Sequence, residues 1–169
     1  MSWNVLITSS AVAKVGQCAQ ELLRNAGCKF IFPQTLGPLK IDGLLNLLNG
    51  IDAVIASVDP YSSAVLQSPA AARLKIISRW GVGYDSIDVL TATRLGIVVT
   101  YTPGMLDDAV ADYTFALLLA LARRVHEGHL TMHNGEWRAA WGSGVSGKTL
   151  GIVGCGRIGR AVARRAKGF

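Results

Sequence analysis

Leu74–Thr100 reads LKIISRWGVGYDSIDVLTATRLGIVVT. Lys75–Ser78 is a short apolar run rich in isoleucine, Gly81-Val82-Gly83 a turn, and Ile87–Leu95 a helical pattern. Gly96 stands where a helix stops, and Ile97–Thr100 is a second β-branched run. Neither run alternates apolar with polar residues, as a sheet with one wet face would require. Strands of this kind are parallel and covered by helices on both sides.

Outward from this stretch the same rhythm recurs. Val5–Thr8, Lys29–Phe32 and Ala53–Ala56 are further apolar runs. Between them lie helical patterns over Ala13–Ala26, Leu44–Leu48 and Ser62–Gln67, with Gly27 and Gly50 at the stops. Strand and helix alternating five times predict an open, doubly wound α/β domain with strand order 2-1-3-4-5. After Thr102-Pro103-Gly104 the rhythm changes. Asp107–Val125 reads as one long helix, with acids in its first turn and Arg123 and Arg124 in its last. Its middle, Ala116–Ala122, is apolar all round, which predicts burial between two bodies. A looser stretch, Gly128 to Gly147, carries Trp137 and Trp141. Leu150–Val153 then reads as a buried strand, followed by a turn and a basic helical segment.

Composition narrows the classes. Half of the 169 residues are hydrophobic and 17% are charged, enough for a sizeable core. No stretch approaches the roughly 20 apolar residues that span a bilayer, and MSWNVLITSS lacks the basic start of a secretory signal. No membrane role is expected. Cys18, Cys28 and Cys155 have no C-x-x-C spacing, so free thiols in the cytoplasm are expected. The net charge of +6 is uneven. Residues 1–122 carry eight basic and nine acidic groups, and residues 123–169 carry nine and two. The late cations surround a glycine turn, without stacking aromatics or a Lys/Arg run longer than two. They suit a solvated helix beside a phosphate site, not a nucleic-acid surface.

Four motifs bear on chemistry. Gly142–Thr149 matches G-x-x-x-x-G-K-[ST], but GEWRAAW before it is no strand and TLGIVG after it no helix. The phosphate-loop reading is rejected. Gly154-Cys155-Gly156-Arg157-Ile158-Gly159 is G-x-G-x-x-G after an apolar run and before a helix, the setting that a dinucleotide fingerprint needs. Gly154 permits the tight turn, Gly156 the approach of a pyrophosphate, and Gly159 close packing, with the Arg157 and Ile158 amides facing phosphate. Gly81-Val82-Gly83 sits at the carboxyl end of the fourth strand, where such sheets place ligands. It reads equally as an anion nest or as a plain connection, with Asp85 or Ser86 capping the next helix. His126, His129 and His133 share helical spacing, but Gly128 interrupts them. An exposed connector is expected there, with no metal site.

The stretches SRWGVGYDSIDVLTATRLGIVVTYTPG, AVADYTFALLLALARRV and GEWRAAWGSGVSGKTLGIVGCGRIGRAVARRAKGF together resemble successive signatures of the D-isomer-specific 2-hydroxyacid dehydrogenases, in wording like the phosphoglycerate dehydrogenases. The resemblance is strong from Lys75 to Phe169 and architectural before that. It implies a flavodoxin-like, doubly wound parallel substrate domain over residues 1–100. Over 101–169 it implies an interdomain helix, a dimer-forming arm near Gly128–Gly147, and the start of a Rossmann dinucleotide domain. The family binds NAD or NADP, here with NAD favoured, in a cleft between two such domains. It moves a hydride between nicotinamide and a 2-oxo or 2-hydroxy acid. On this resemblance Gly81, Val82 and Gly83 hold the substrate carboxylate. Val82 and Val110 lie near the nicotinamide, and Gly154, Gly156, Arg157, Ile158 and Gly159 hold the cofactor. AVAD departs from the family's A-V-A-E by one methylene at Asp112. The family's catalytic arginine, glutamate and histidine would lie beyond Phe169, so no catalytic residue is assigned. The chain alone is expected to be inactive, with a homodimer for the full-length protein. The alternative is a non-catalytic binding or dimerisation module.

Overall fold

The computed structural model describes residues 2–169. They form two compact units, one ending at Pro103 and one running from Gly104 to Phe169.

The first unit is a five-stranded, wholly parallel sheet. Its strands are β1 (Asn4–Ile7), β2 (Lys29–Ile31), β3 (Ala53–Ala56), β4 (Ile76–Arg79) and β5 (Val98–Thr100), in the order β2-β1-β3-β4-β5. Register follows Leu6↔Ile31, Leu6↔Val54, Val54↔Ile77 and Ile77↔Val99. Side chains alternate across a pleat, and here both faces are apolar. Leu6, Val54, Ala56 and Ile77 pack on one side with Leu44 and Leu48 of α3 (Ile41–Leu48), Val65 of α4 (Ser63–Leu66) and Ala92 of α5 (Val89–Arg94). Val5 and Ile7 face the other way, with Phe30, Ala53 and Ile55, and meet Val12 of α1 (Ser10–Val15). The missing polar alternation in the sequence is thus a sheet packed on two sides.

The expected helix over Ala13–Ala26 is two helices, α1 and α2 (Gln17–Asn25), broken at Gly16. Gly16 wraps so closely over α1 that a Cβ there would stand 2.5 Å from the Val12 carbonyl. That carbonyl accepts both the Gly16 amide, at 3.1 Å, and the buried Gln20 side chain, at 2.7 Å.

The second unit holds α6 (Asp107–Ala122), α7 (Val125–His133) and α8 (Arg157–Ala166). Two expectations fail here. The long helix stops at Ala122, because Arg124 adopts a left-handed conformation (φ 52°) and the chain restarts as α7, which takes in the beginning of the supposed loose stretch. Nor is α6 enclosed on all sides. Ala111 and Phe115 are buried against Ala161 and Val162 of α8, while Tyr113, Leu117 and Leu121 are exposed. A third correction concerns Leu150–Val153, which forms no strand. A ladder needs a neighbour, and among the described residues this unit has no other strand. Ile152 instead joins the α6–α8 cluster and Val153 points into solvent.

Candidate functional site

In a parallel sheet every strand delivers its carboxyl end to the same edge, and β4 delivers Arg79 and the glycine loop there. Trp80 donates its amide to the Ala56 carbonyl at 3.0 Å, and the Gly81 carbonyl accepts the Thr102 amide at 3.0 Å. Gly81 takes φ 137°, a region closed to ordinary side chains. Arg79 folds back under the loop, with Nε donating to the Gly83 carbonyl at 2.8 Å and Nη1 donating to the Trp80 carbonyl. Among the described residues the amides of Gly81, Val82 and Gly83 have no acceptor, and neither do those of Tyr84 and Asp85. Trp80, Tyr84 and Tyr101 form a half-exposed aromatic rim, with Tyr84 and Tyr101 5.1 Å apart.

The loop is fastened at its far end. Tyr61 pairs with Ile87 as a single parallel bridge, its amide donating to the Ser86 carbonyl at 2.8 Å and its carbonyl accepting the Asp88 amide at 2.9 Å. Beside it the fully buried Asp59 carboxylate accepts the Leu39 amide at 2.8 Å, the Ser57 amide at 3.1 Å and the Thr8 hydroxyl. Burial, reinforced by the Asp59 charge, pushes the Tyr61 phenol well above its ordinary range. Neither Asp59 nor Tyr61 carries a motif that would have marked it. The helix after the loop is capped by Asp88, whose Oδ1 accepts the Thr91 amide at 2.9 Å, not by Asp85 or Ser86. The Thr91 amide and hydroxyl hold that carboxyl below its usual range.

In the second unit, Gly154 turns with φ 91°, and a Cβ on Gly159 would stand 2.2 Å from the Gly154 carbonyl. Only glycine closes this turn. The first helical bond of α8 runs from the Arg160 amide to the Gly156 carbonyl at 3.0 Å. The amides of Arg157, Ile158 and Gly159 therefore face outward without backbone acceptors, at the positive end of a ten-residue helix. This arrangement suits a pyrophosphate. Gly154, Gly156 and Arg157 are exposed, while Ile158 packs into the α6–α8 cluster. Val110 lies on the first turns of α6, half exposed. Arg165 of α8 reaches back to that helix, bonding Asp112 and lying 3.1 Å from Asp108. The structure thus keeps Gly81, Val82 and Gly83 together in one unit and Val110 with the glycine turn in the other.

Two further motifs lie apart from these loops. Gly142–Thr149 leads into no helix until Arg157, and the Gly147 amide is bonded to the Phe169 carbonyl at 2.8 Å. His126, His129 and His133 stand exposed on α7, and no group of three metal-ligating side chains occurs among the described residues.

Comparison with known proteins adds the family. A profile described as "D-isomer specific 2-hydroxyacid dehydrogenase, catalytic domain" matches residues 5–156. The chain is 48% identical over 133 residues to a glyoxylate reductase of Korarchaeum cryptofilum and 49% identical over 136 residues to one of Thermococcus litoralis. Each match covers 75% of this chain and 40% of the relative, so the chain spans about two fifths of their length. The TT0316 protein from Thermus thermophilus superposes with a TM-score of 0.82 at 38% identity, over 98% of this chain and 53% of that one. An NAD-dependent formate dehydrogenase from Staphylococcus aureus, solved in complex with NAD, gives 0.80 at 28% identity over the same shares.

Proposed function

Because the chain belongs to the D-isomer-specific 2-hydroxyacid dehydrogenase family, we propose that it is the part of such an enzyme that grips the substrate carboxylate and the cofactor pyrophosphate. One observation carries the reading: the unpartnered amides of Gly81, Val82 and Gly83 at the carboxyl edge of a parallel sheet. Consecutive amides without acceptors are a ready anion site, and a small 2-oxo acid such as glyoxylate presents one carboxylate to them.

The cofactor is a nicotinamide dinucleotide, NAD in preference to NADP, and it supplies or accepts the hydride. Arg157, Ile158 and Gly159 offer amides to its pyrophosphate. Gly154 and Gly156 let the backbone come close, and the Arg157 guanidinium adds charge. On the family resemblance Val82, in the first unit, and Val110, in the second, are each assigned to the nicotinamide end of the cofactor. Residues 1–100 then serve as the substrate domain, and 101–169 as the interdomain helix, the arm and the opening of the cofactor domain, a division close to that of the two compact units, which part after Pro103. No side chain among residues 1–169 is assigned the acid–base role, so this polypeptide by itself does not turn over. The partner is a second copy, supported by the apolar residues that α6 and the arm expose. The compartment is the cytoplasm, supported by three free cysteines. No helix is long and apolar enough to cross a membrane among the described residues.

The full-length protein should reduce glyoxylate with NADH at ordinary enzymatic rates, on the order of 1–1,000 per second, and more slowly with NADPH. Residues 1–169 alone should show no turnover. Steady-state absorbance assays over a panel of small 2-oxo acids check both. A full-length protein inert towards all of them would remove the reading.

A further inference from the structure

Arg79 is the last residue of β4, and its half-buried side chain folds back under the loop that follows. It bridges the two shoulders of the glycine loop, donating from Nε to the Gly83 carbonyl at 2.8 Å and from Nη1 to the Trp80 carbonyl. A Cβ on Gly81 would stand 2.8 Å from Nη1, so the guanidinium lies directly beneath that residue. A trans peptide points its carbonyl and its amide in opposite directions. Drawing the Trp80 and Gly83 carbonyls inwards therefore turns the Gly81 and Tyr84 amides outwards. The Thr102 amide, bonded to the Gly81 carbonyl at 3.0 Å, fixes the Val82 amide by the same logic. Charge adds to geometry. Asp85 folds back so that its Oδ2 lies 3.4 Å from where a Gly83 Cβ would be. Without a cation the loop would present a carboxylate to an incoming anion.

We propose that Arg79 is a positioning residue for the substrate carboxylate: its guanidinium clamps two carbonyls, aims the amides at the anion and offsets the charge of Asp85. Its Nη2 group bonds nothing among the described residues. The inference rests on the glycine loop being the carboxylate site.

The test is a titration of the ¹⁵N-labelled 169-residue chain with glyoxylate, followed by amide chemical shifts. In the wild type the Gly81, Val82, Gly83 and Tyr84 signals should shift and saturate together. Arg79→Gln should weaken that binding roughly tenfold or more, the scale of one lost charge-assisted interaction, while β1 and β3 signals stay in place and report an intact fold. Arg79→Lys, which keeps the charge but not the two-point clamp, should fall between. Adding Asp85→Asn to Arg79→Gln should recover several-fold, a change that a purely structural role for Arg79 would not produce. If Arg79→Gln binds glyoxylate as tightly as wild type, the role of Arg79 is overturned and the carboxylate site stands. If the wild-type amides never respond, the site reading falls and the inference falls with it.

Discussion

Asp52 lies at the amino edge of the sheet, just before β3, almost wholly covered. Its Oδ2 accepts the Asn4 amide at 2.9 Å and its Oδ1 the Arg73 guanidinium at 2.8 Å. These bonds, the Asn4 amide first, hold its carboxyl below the ordinary range, and the Thr91 amide does the same for Asp88. A depressed folded-state value means that the stabilisation is complete above the unfolded value and disappears as pH falls through the folded one. Urea midpoints measured across acid pH should therefore be level down to about pH 4, the usual carboxylate range, and drop steeply below it. Asp52→Asn should be less stable at pH 7 and lose less on acidification. A variant curve parallel to wild type would remove Asp52 from the acid transition. None of this was legible in the sequence, where Asp52 is one acid among eleven; its partners lie 48 and 21 residues away. The glycine loop was legible, because Gly81 and Gly83 follow an apolar run directly. The role of Arg79 was not, since the sequence does not disclose that a side chain will fold back upon its own loop.

The pairing of α6 with α8 sets two kinds of force side by side. Phe115, Ala111, Ala161 and Val162 form a buried seam, while Arg164 and Arg165 reach exposed Asp108 and Asp112 across it. Exposed ion pairs contribute little, at most about 1 kcal/mol, whereas truncating a buried aromatic costs about 3–5 kcal/mol. Phe115→Ala should therefore abolish amide-exchange protection throughout α8, and Arg165→Ala should lower it only slightly. Equal losses in the two variants would mean that the charges, not the seam, hold α8. An isolated helix of ten residues is marginal in water, so α8 depends on its docking. The glycine turn and the helix after it could be read from spacing alone. The strand expected at Leu150–Val153 could not, because a strand is a relation to a neighbour and not a property of four residues. The end of α6 was hidden for a different reason: Arg124 takes a left-handed conformation without a glycine or proline to announce it.

At the scale of the whole molecule the two units differ in how well they close. The first buries side chains on both faces of its sheet. The second keeps an apolar hollow of about 460 Å³ lined by residues such as Phe115, Leu118, Leu121 and Phe169. It also exposes Leu117, Leu121, Leu130, Trp137 and Trp141, with Trp137 91% accessible. Apolar surface on this scale usually marks an interface, and a self-complementary twofold contact is the commonest way to cover it. The full-length protein should sediment as a dimer at micromolar concentration, and Leu117→Glu combined with Leu121→Glu should shift it towards monomer. A wild type sedimenting only as monomer would sink the dimer. The doubly wound architecture was the most legible feature of all, since five β-branched runs set between helical patterns leave few other arrangements. The break at Gly16 shifted element boundaries without disturbing the strand order.

The position of β1 also governs how the chain is made. Among the described elements it is the first to leave the ribosome, yet it sits inside the sheet between β2 and β3. Its second neighbour follows nearly fifty residues later, at Ala53–Ala56, a wait of roughly 3–10 s at a synthesis rate of about 5–20 residues per second. For those seconds Val5, Leu6 and Ile7 form a nascent strand with an open edge and two bare apolar faces, the kind of segment that chaperones bind. An interior strand of the finished sheet is thus the part of the newborn chain most in need of protection.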